Sequence, residues 1–298
     1  MIPYKKICSI KDAKWKEHRL SGIGGSEAAA VIGANPWKPP IEVFMEKMRL
    51  SESNFDNEKM YWGTILEPIV AKEFTLRTKL KVKKYPYLVR SLKYPWMIAD
   101  FDYVSVGGKI KFLLEIKTTS EYMKDTWLDQ EELPPIVKCQ VHHYMVVGDF
   151  KQAYVCVLIG GQKFHMVKVE REKQFEKELI AEEKLFWEKV VSQTLPDPDN
   201  TPEFGRALSL YYKDTKKEPE IILPEDFNAS IWYRDSLKDS IKGQEGTVTL
   251  IENKVKSEMK EFEIGVTSDW LITWKPNKNG DRRLKIRLRS TEEKEVKK

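Results

Sequence analysis

The spacing of apolar side chains changes period along the chain, and each change marks an element. Residues 11–20 predict a short helix ending near His18-Arg19-Leu20, followed by the glycine-rich turn Ser21-Gly22-Ile23-Gly24-Gly25-Ser26. Glu27 to Ile32 reads as a helix that Gly33-Ala34-Asn35-Pro36 ends, and Pro39-Pro40 opens another helix through about Leu50. A polar loop follows over 51–57. Lys59 to about Leu80 then predicts a long helix, with Pro68 implying a kink or a fresh start just after Glu67. Tyr85 to Val106 is rich in aromatic and β-branched residues. Gly107-Gly108 marks a hairpin there, with Lys109 to Thr118 as the return strand. Residues 121–128 are weakly helical, and Pro134-Pro135 starts a helix to about Val147. A second hairpin joins Ala153–Ile159 to Lys163–Val169 around Gly160-Gly161, and Glu170 to Val191 is a charged amphipathic helix.

Helices and strands therefore mix through residues 1–195, as in an α/β or α+β core. Residues 196–228 read as a proline-containing connector, and 229–298 as a C-terminal helix plus β-hairpin extension. In that extension Leu237, Ile241, Val248, Ile251, Val255, Met259 and Phe262 fall mostly at steps of three, four or seven. Gly243 and Gly246 interrupt the pattern, each costing a helix about 1 kcal/mol relative to alanine. Val266–Trp274 and Arg283–Arg289 predict a hairpin around Pro276 to Asp281, and 292–298 a frayed end. No internal repeat is visible.

Composition narrows the class. The 298 residues are 41% hydrophobic and 33% charged, which fits a folded, soluble chain. Cys8, Cys139 and Cys156 are widely spaced, so they form no zinc pattern and point to a reducing compartment. Met1 to Lys6 leads into polar sequence and no apolar run is long enough for a signal peptide or membrane span, so the expected location is the cytoplasm. A net charge of +5 is compatible with a nucleic-acid partner without requiring one.

The chemistry concentrates in one place. Leu113-Leu114-Glu115-Ile116-Lys117 is apolar enough to be buried, yet it carries opposite charges two residues apart, on one face of a strand. Asp102 lies on the preceding strand of the same hairpin, and Glu67 is the natural extra ligand from the preceding helix. Two or three carboxylates supply hard oxygens for Mg²⁺, with Mn²⁺ able to substitute. The backbone carbonyl of Ile116 is a further donor. Lys117 would position or activate a water and offset charge on a phosphate. A surface hairpin with two acids and a lysine is the competing reading.

Several segments together resemble a known family. Arg19 to Ala30, Trp62-Gly63-Thr64-Ile65-Leu66-Glu67-Pro68, Asp102 with Glu115-Ile116-Lys117-Thr118, and Gln140-Val141-His142-His143-Tyr144-Met145 look, in order and spacing, like the signatures of the YqaJ-like viral recombinase nucleases. These are relatives of phage lambda exonuclease, and the resemblance spans roughly residues 15–190. It implies a PD-(D/E)XK restriction-endonuclease-like core with a mixed central sheet flanked by helices. It implies Mg²⁺-dependent 5′-to-3′ digestion of linear double-stranded DNA to mononucleotides, leaving 3′ overhangs. It further implies a homo-oligomer such as a ring-shaped trimer, and a single-strand annealing partner of the RecT or Redβ type. The setting it implies is phage or prophage recombination in a bacterial cytoplasm.

By position, the resemblance makes Glu67, Asp102 and Glu115 metal ligands, Lys117 the catalytic lysine and Gln140 an active-site amide. Arg19 and Ser26 match residues expected to bind a terminal 5′ phosphate. Arginine offers forked donors to phosphate, and a serine at a helix start is also an ordinary N-cap. Asp100 stands where relatives often have asparagine. It shares a strand face with Asp102 if no bulge intervenes, as an alternative or auxiliary ligand. His143 and Tyr144 are further auxiliary candidates, His143 by packing beside Gln140 or touching DNA. Two other readings stay open: a same-fold endonuclease of repair or restriction, and a noncatalytic DNA-binding recombination scaffold.

Overall fold

The strand predicted around Glu115 is central to the largest sheet of the molecule. A computed structural model describes residues 2–51, 58–108, 110–128, 132–214 and 220–290. The expected loop over 51–57, Lys109 of the first hairpin and the expected frayed end fall wholly or largely outside the described residues.

One compact unit spans Met1–Thr215. Its elements are β1 (Tyr4–Ser9), α1 (Trp15–Arg19), β2 (Ile23–Gly24), α2 (Gly25–Val31), α3 (Pro40–Lys47) and α4 (Glu58–Thr78). Then come β3 (Val82–Lys84), β4 (Tyr87–Ser91), β5 (Met97–Asp100), β6 (Tyr103–Ser105) and β7 (Phe112–Thr119). A 3-10 turn (Glu121–Met123), α5 (Lys124–Leu128), α6 (Pro135–Gly148), β8 (Gln152–Ile159), β9 (Lys163–Glu170), α7 (Lys173–Ser192) and α8 (Pro202–Tyr211) complete it.

The strand-like stretch from Tyr85 to Val106 is three strands divided between two sheets. One sheet has the order β1-β4-β5-β2, and the other β3-β6-β7-β8-β9. The chain leaves the first sheet after Asp100 and enters the second at Tyr103, so Asp100 and Asp102 stand at the seam. In the larger sheet β7 pairs antiparallel with β6 and parallel with β8. A parallel neighbour needs a crossover, which α6 supplies.

Period two along β7 sorts its side chains. Phe112, Leu114 and Ile116 pack with Val70, Ala71 and Phe74 of α4, while Leu113 joins Val141 and Tyr144 of α6. Glu115 and Lys117 share the parity of Leu113 and so face α6. A third apolar cluster joins α2 and α3 to Phe186 and Val190 of α7 and to Phe204 and Ala207 of α8.

Two local expectations differ from the structure. Helix α4 runs through Pro68 without interruption. Within the expected connector, Thr201 caps α8 by accepting from the Phe204 N–H, Pro202 follows at the first helical position, and the helix buries Phe204 and Ala207. Frequent prolines masked this ten-residue helix.

The other unit spans Lys216–Lys298. Helix α9 (Asp226–Met259) continues through both glycines, and β10 (Ile264–Val266), β11 (Trp270–Pro276) and β12 (Arg282–Leu288) form an antiparallel sheet in that order. Strand β10 is an addition to the predicted hairpin. Neither glycine opens the helix: length and neighbouring turns outweigh two unfavourable residues.

Candidate active site

At the seam of the two sheets lies a cleft of about 470 Å³. Arg19, Ser26, Glu67, Asp100, Asp102, Glu115, Ile116, Lys117, Gln140 and Tyr144 all line it. Their contributions come from α1, α2, α4, the seam, β7 and α6, elements up to 125 positions apart in the chain (Arg19 to Tyr144).

Asp102 is held from two sides. Its Oδ2 accepts the Ile116 N–H at 2.9 Å, and its carbonyl accepts the Tyr85 N–H at 3.1 Å. Glu115 Oε1 receives Lys117 Nζ and Gln140 Nε2, each at 2.8 Å, while Lys117 Nζ also donates to Gln140 Oε1 at 2.8 Å. These bonds fix which end of the Gln140 amide points where. Glu67 accepts from Lys84 Nζ at 2.8 Å.

The electrostatics of this end are strained. Burial pushes the Asp102 carboxyl well above the usual range, and Glu115 and Glu67 push it further, against Lys117 and the Ile116 N–H. Burial likewise raises Glu115, although Lys117 opposes it. Burial disfavours the Lys117 ammonium, but Glu115 and Asp102 outweigh that and raise its pKa. Lys117 is therefore a firmly protonated donor as the cleft stands.

Among the described residues, no three Cys, His, Asp or Glu side chains are grouped as a ready metal cage. The donor set nevertheless fits a hard divalent cation. Asp102 and Glu115 are clustered carboxylates whose ionisation burial and mutual repulsion oppose, and Glu115 Oε2 is buried with no hydrogen-bond partner. Glu67 can join them by exchanging its Lys84 partner.

The other end of the cleft is basic. Arg19 is only 3% exposed, donating from Nη2 to Ser26 Oγ at 2.9 Å and from Nη1 to Asp100 Oδ1 at 3.3 Å. Its Nε is buried without a partner, an unused donor. Burial opposes its charge, but Asp100 and Glu27 more than compensate and raise its pKa. Asp100 also accepts from the Tyr144 hydroxyl at 2.8 Å, and Gln140 Nε2 reaches Tyr144 Oη at 3.3 Å. Burial and then Asp100 hold the Tyr144 phenol well above its ordinary pKa, so it stays a neutral donor. Asp100 thus bridges the basic end and the carboxylates, engaged by Arg19 and Tyr144 rather than lying beside Asp102.

A pair absent from the sequence reading braces Arg19. Buried Lys47 donates from Nζ to both Glu27 oxygens at 2.8 Å and to the Arg19 carbonyl at 2.9 Å, and Glu27 Oε2 accepts the Gly24 N–H at 2.8 Å. The Glu27 reach to Gly24 is one half of a capping box, and it makes Gly24 the N-cap of α2, not Ser26 as the sequence suggested. Lys47 gave no signal in the sequence, because it sits at the charged end of α3. Close approach explains the glycine pair: a Cβ at Gly24 would stand 2.0 Å from Arg19 Nη1, and one at Gly25 would stand 2.4 Å from the Tyr144 ring.

His143 does not join the cleft. Fully buried, it faces α7, with Nδ1 2.7 Å from Glu183 Oε1 and Nε2 2.9 Å from the Ile98 carbonyl. Gln140 and Tyr144, four apart on α6, share the cleft face, and position 143 is rotated onto the next face.

Residues 14–151 match the YqaJ-like viral recombinase domain. The protein YqaJ of Bacillus subtilis (strain 168) is 34% identical over 267 residues, covering 88% of this chain and 83% of that one. Protein D345L of African swine fever virus (isolate Tick/South Africa/Pretoriuskop Pr4/1996) is 30% identical over 69 residues, 21% of this chain and 20% of its own. In fold, the alkaline exonuclease LHK-Exo from Laribacter hongkongensis superposes with a TM-score of 0.53 at 17% identity, over 61% of this chain and 94% of that structure. The chain belongs to the YqaJ-like viral recombinase family.

Proposed function

We propose that this protein is a divalent-metal-dependent exonuclease that degrades linear duplex DNA from a 5′ end, releasing mononucleotides and leaving 3′ overhangs. Membership of the YqaJ-like viral recombinase family, with a fold shared with an alkaline exonuclease, supports phosphodiester hydrolysis in general. The observation that carries the finer reading is the two-ended cleft: carboxylates with Lys117 at one end, Arg19 and Ser26 at the other, Asp100 and Tyr144 between. A related structure of LHK-Exo in complex with dAMP is compatible with a mononucleotide product here.

The residues divide the work. Arg19 and Ser26, which both line the cleft, would bind a terminal phosphate through the guanidinium and the hydroxyl. Gln140 holds Glu115 and Lys117 in one orientation. Lys117 Nζ, protonated, would donate to a phosphate oxygen as negative charge builds there. Asp102, Glu115, the Ile116 carbonyl and Glu67 would hold Mg²⁺, which when bound supplies Lewis-acid polarisation of the phosphate and a more acidic water.

The test is incubation of the purified protein with Mg²⁺ and either linear or covalently closed duplex. Release of mononucleotides from the linear form alone is expected, with a loss of at least about 10²-fold in Lys117→Ala. Cleavage of closed circles would favour an endonuclease, and duplex retention without cleavage under any metal a scaffold. A homo-oligomer, as in ring-shaped trimers, and an annealing partner of the RecT or Redβ type extend this proposal. Light scattering of the purified protein and co-purification with such a partner test them. Among the described residues, no helix is long and apolar enough to cross a membrane.

A further inference from the structure

Arg282 to Arg289 carries five basic side chains in eight residues, and the sheet sorts them into two kinds. Arg282 serves the fold. Its guanidinium lies 3.6 Å from the centre of the Trp274 ring, and it donates to the carbonyls of Trp274, Lys260 and Phe262 at 3.0, 2.7 and 2.7 Å. These bonds tie the sheet to the end of α9. Arg289 likewise donates to the Thr267 carbonyl at 3.0 Å.

The intervening positions do something else. Arg283 and Lys285 are exposed on the opposite face of β12, where they pair in register with Lys275 and Thr273. Lys275 is also exposed. None of these three cations makes an ion pair among the described residues. Arg287 extends the row. No carboxylate occurs among the residues that share this face in the three strands: Leu271, Thr273 and Lys275 of β11, Arg283, Lys285 and Arg287 of β12, and Ile264 and Val266 of β10.

We propose that this face is a second contact for duplex DNA, held through the phosphodiester backbone. The choice of ligand rests on the nuclease reading given above. Alternate residues of a strand stand about 6.8 Å apart, so β12 presents an evenly spaced row of cations to a regularly spaced polyanion. Lysine and arginine stems can reach across a groove edge, and the face carries no asparagine or glutamine to read base edges. Affinity without sequence preference follows. Among the described residues β12 is an edge strand, so the row lies along the rim of the sheet. A second contact also raises the local concentration of DNA after each cut, which lengthens the run of nucleotides removed per encounter.

The full-length chain tests this with duplex binding measured in EDTA across a salt series, comparing wild type with Lys275→Ala/Arg283→Ala/Lys285→Ala. The variant is expected to unfold at the wild-type temperature. Its affinity should fall on the order of tenfold or more near 0.1 M salt, equally for unrelated sequences. Its log–log salt slope should be shallower by up to about 2.7, at about 0.9 for each phosphate no longer neutralised. A charge-keeping Lys275→Arg/Arg283→Lys/Lys285→Arg variant should retain the slope. Equal affinity and slope in wild type and the alanine variant, with wild type binding duplex, would overturn the proposal and leave the nuclease reading standing. So would unchanged duplex binding with lost retention on polyglutamate, which would instead identify an acidic protein partner. A wild type that neither binds nor cleaves duplex would overturn both.

Discussion

Two buried charge clusters meet at Asp100, and they are built in opposite ways. Around Arg19, each carboxylate has a cation: buried Glu27 has Lys47, and half-buried Asp100 has Arg19 itself. Burial opposes the Glu27 charge, yet Lys47 and Arg19 pull its pKa down, so the ionised form is favoured. Around Asp102, carboxylates outnumber cations and their pKa values rise. The first cluster is complete in its carboxylate–cation pairs, and only Arg19 Nε is left without a partner. The second is stabilised by whatever brings positive charge, which is the property expected of a site that binds a cation and a phosphate together.

Breaking the complete cluster should have the largest effect. Lys47→Met leaves Glu27 buried and unpaired, and a loss of about 3–5 kcal/mol is expected in denaturant unfolding. Adding Glu27→Gln should recover part of it. A single variant as stable as wild type would mean that the pair does not brace Arg19.

The incomplete cluster should respond to metal instead. Wild type should gain about 2.7 kcal/mol of stability in Mg²⁺ at a hundredfold excess over its dissociation constant. Asp102→Asn should lose that gain while being no less stable than wild type in EDTA, because it removes a repelled carboxyl. Equal thermal shifts with Mg²⁺ in both proteins would place the ion elsewhere.

A smaller effect is expected at the join. Arg19→Ala should reduce the preference for 5′-phosphorylated over 5′-hydroxyl duplex ends by roughly tenfold, the loss of one charge-assisted hydrogen bond or more. If wild type already cuts both ends at equal rates, the basic end of the cleft is not a phosphate pocket.

The smallest concerns a third buried pair, His143 with Glu183, which lies behind Tyr144 and outside the cleft. Burial disfavours the His143 imidazolium, but Glu183 and the Ile98 carbonyl outweigh it, so its pKa lies above the ordinary imidazole value. A raised pKa means stability present in full below pH of about 6.5 and lost as pH climbs through the folded-state value. Each tenfold change in proton affinity corresponds to about 1.4 kcal/mol. Thermal midpoints from pH 6 to 9 should decline in wild type more than in His143→Gln, and parallel profiles would assign the decline to other groups.

Legibility in the sequence followed the range of the interaction. Glu115 and Lys117 are two apart on one strand, and Gln140 and Tyr144 are one helical turn apart, so local periodicity places each pair on a face. Glu27 and Lys47 are 20 residues apart on different helices, and neither departs from what a helix surface normally carries. The fate of His143 depends on α7 covering it, which no pattern within α6 reveals. The basic run of β12 was visible as a run, but only cross-strand register and the Trp274 stack separate Arg282 from Arg283. The seam after Asp100 is a tertiary event: two short strands with continuous β character join different sheets.

Gly24 carries a consequence of another sort. Every other amino acid adds a Cβ, and an atom there would meet the Arg19 guanidinium well inside contact distance. Any single missense change of that codon would therefore displace the guanidinium by shape and loosen its hold on Asp100, while Asp102, Glu115 and Lys117 keep their own bonds. If the basic end holds a terminal phosphate, as proposed, this is a steric switch for an engineer: it separates loss of end recognition from loss of chemistry.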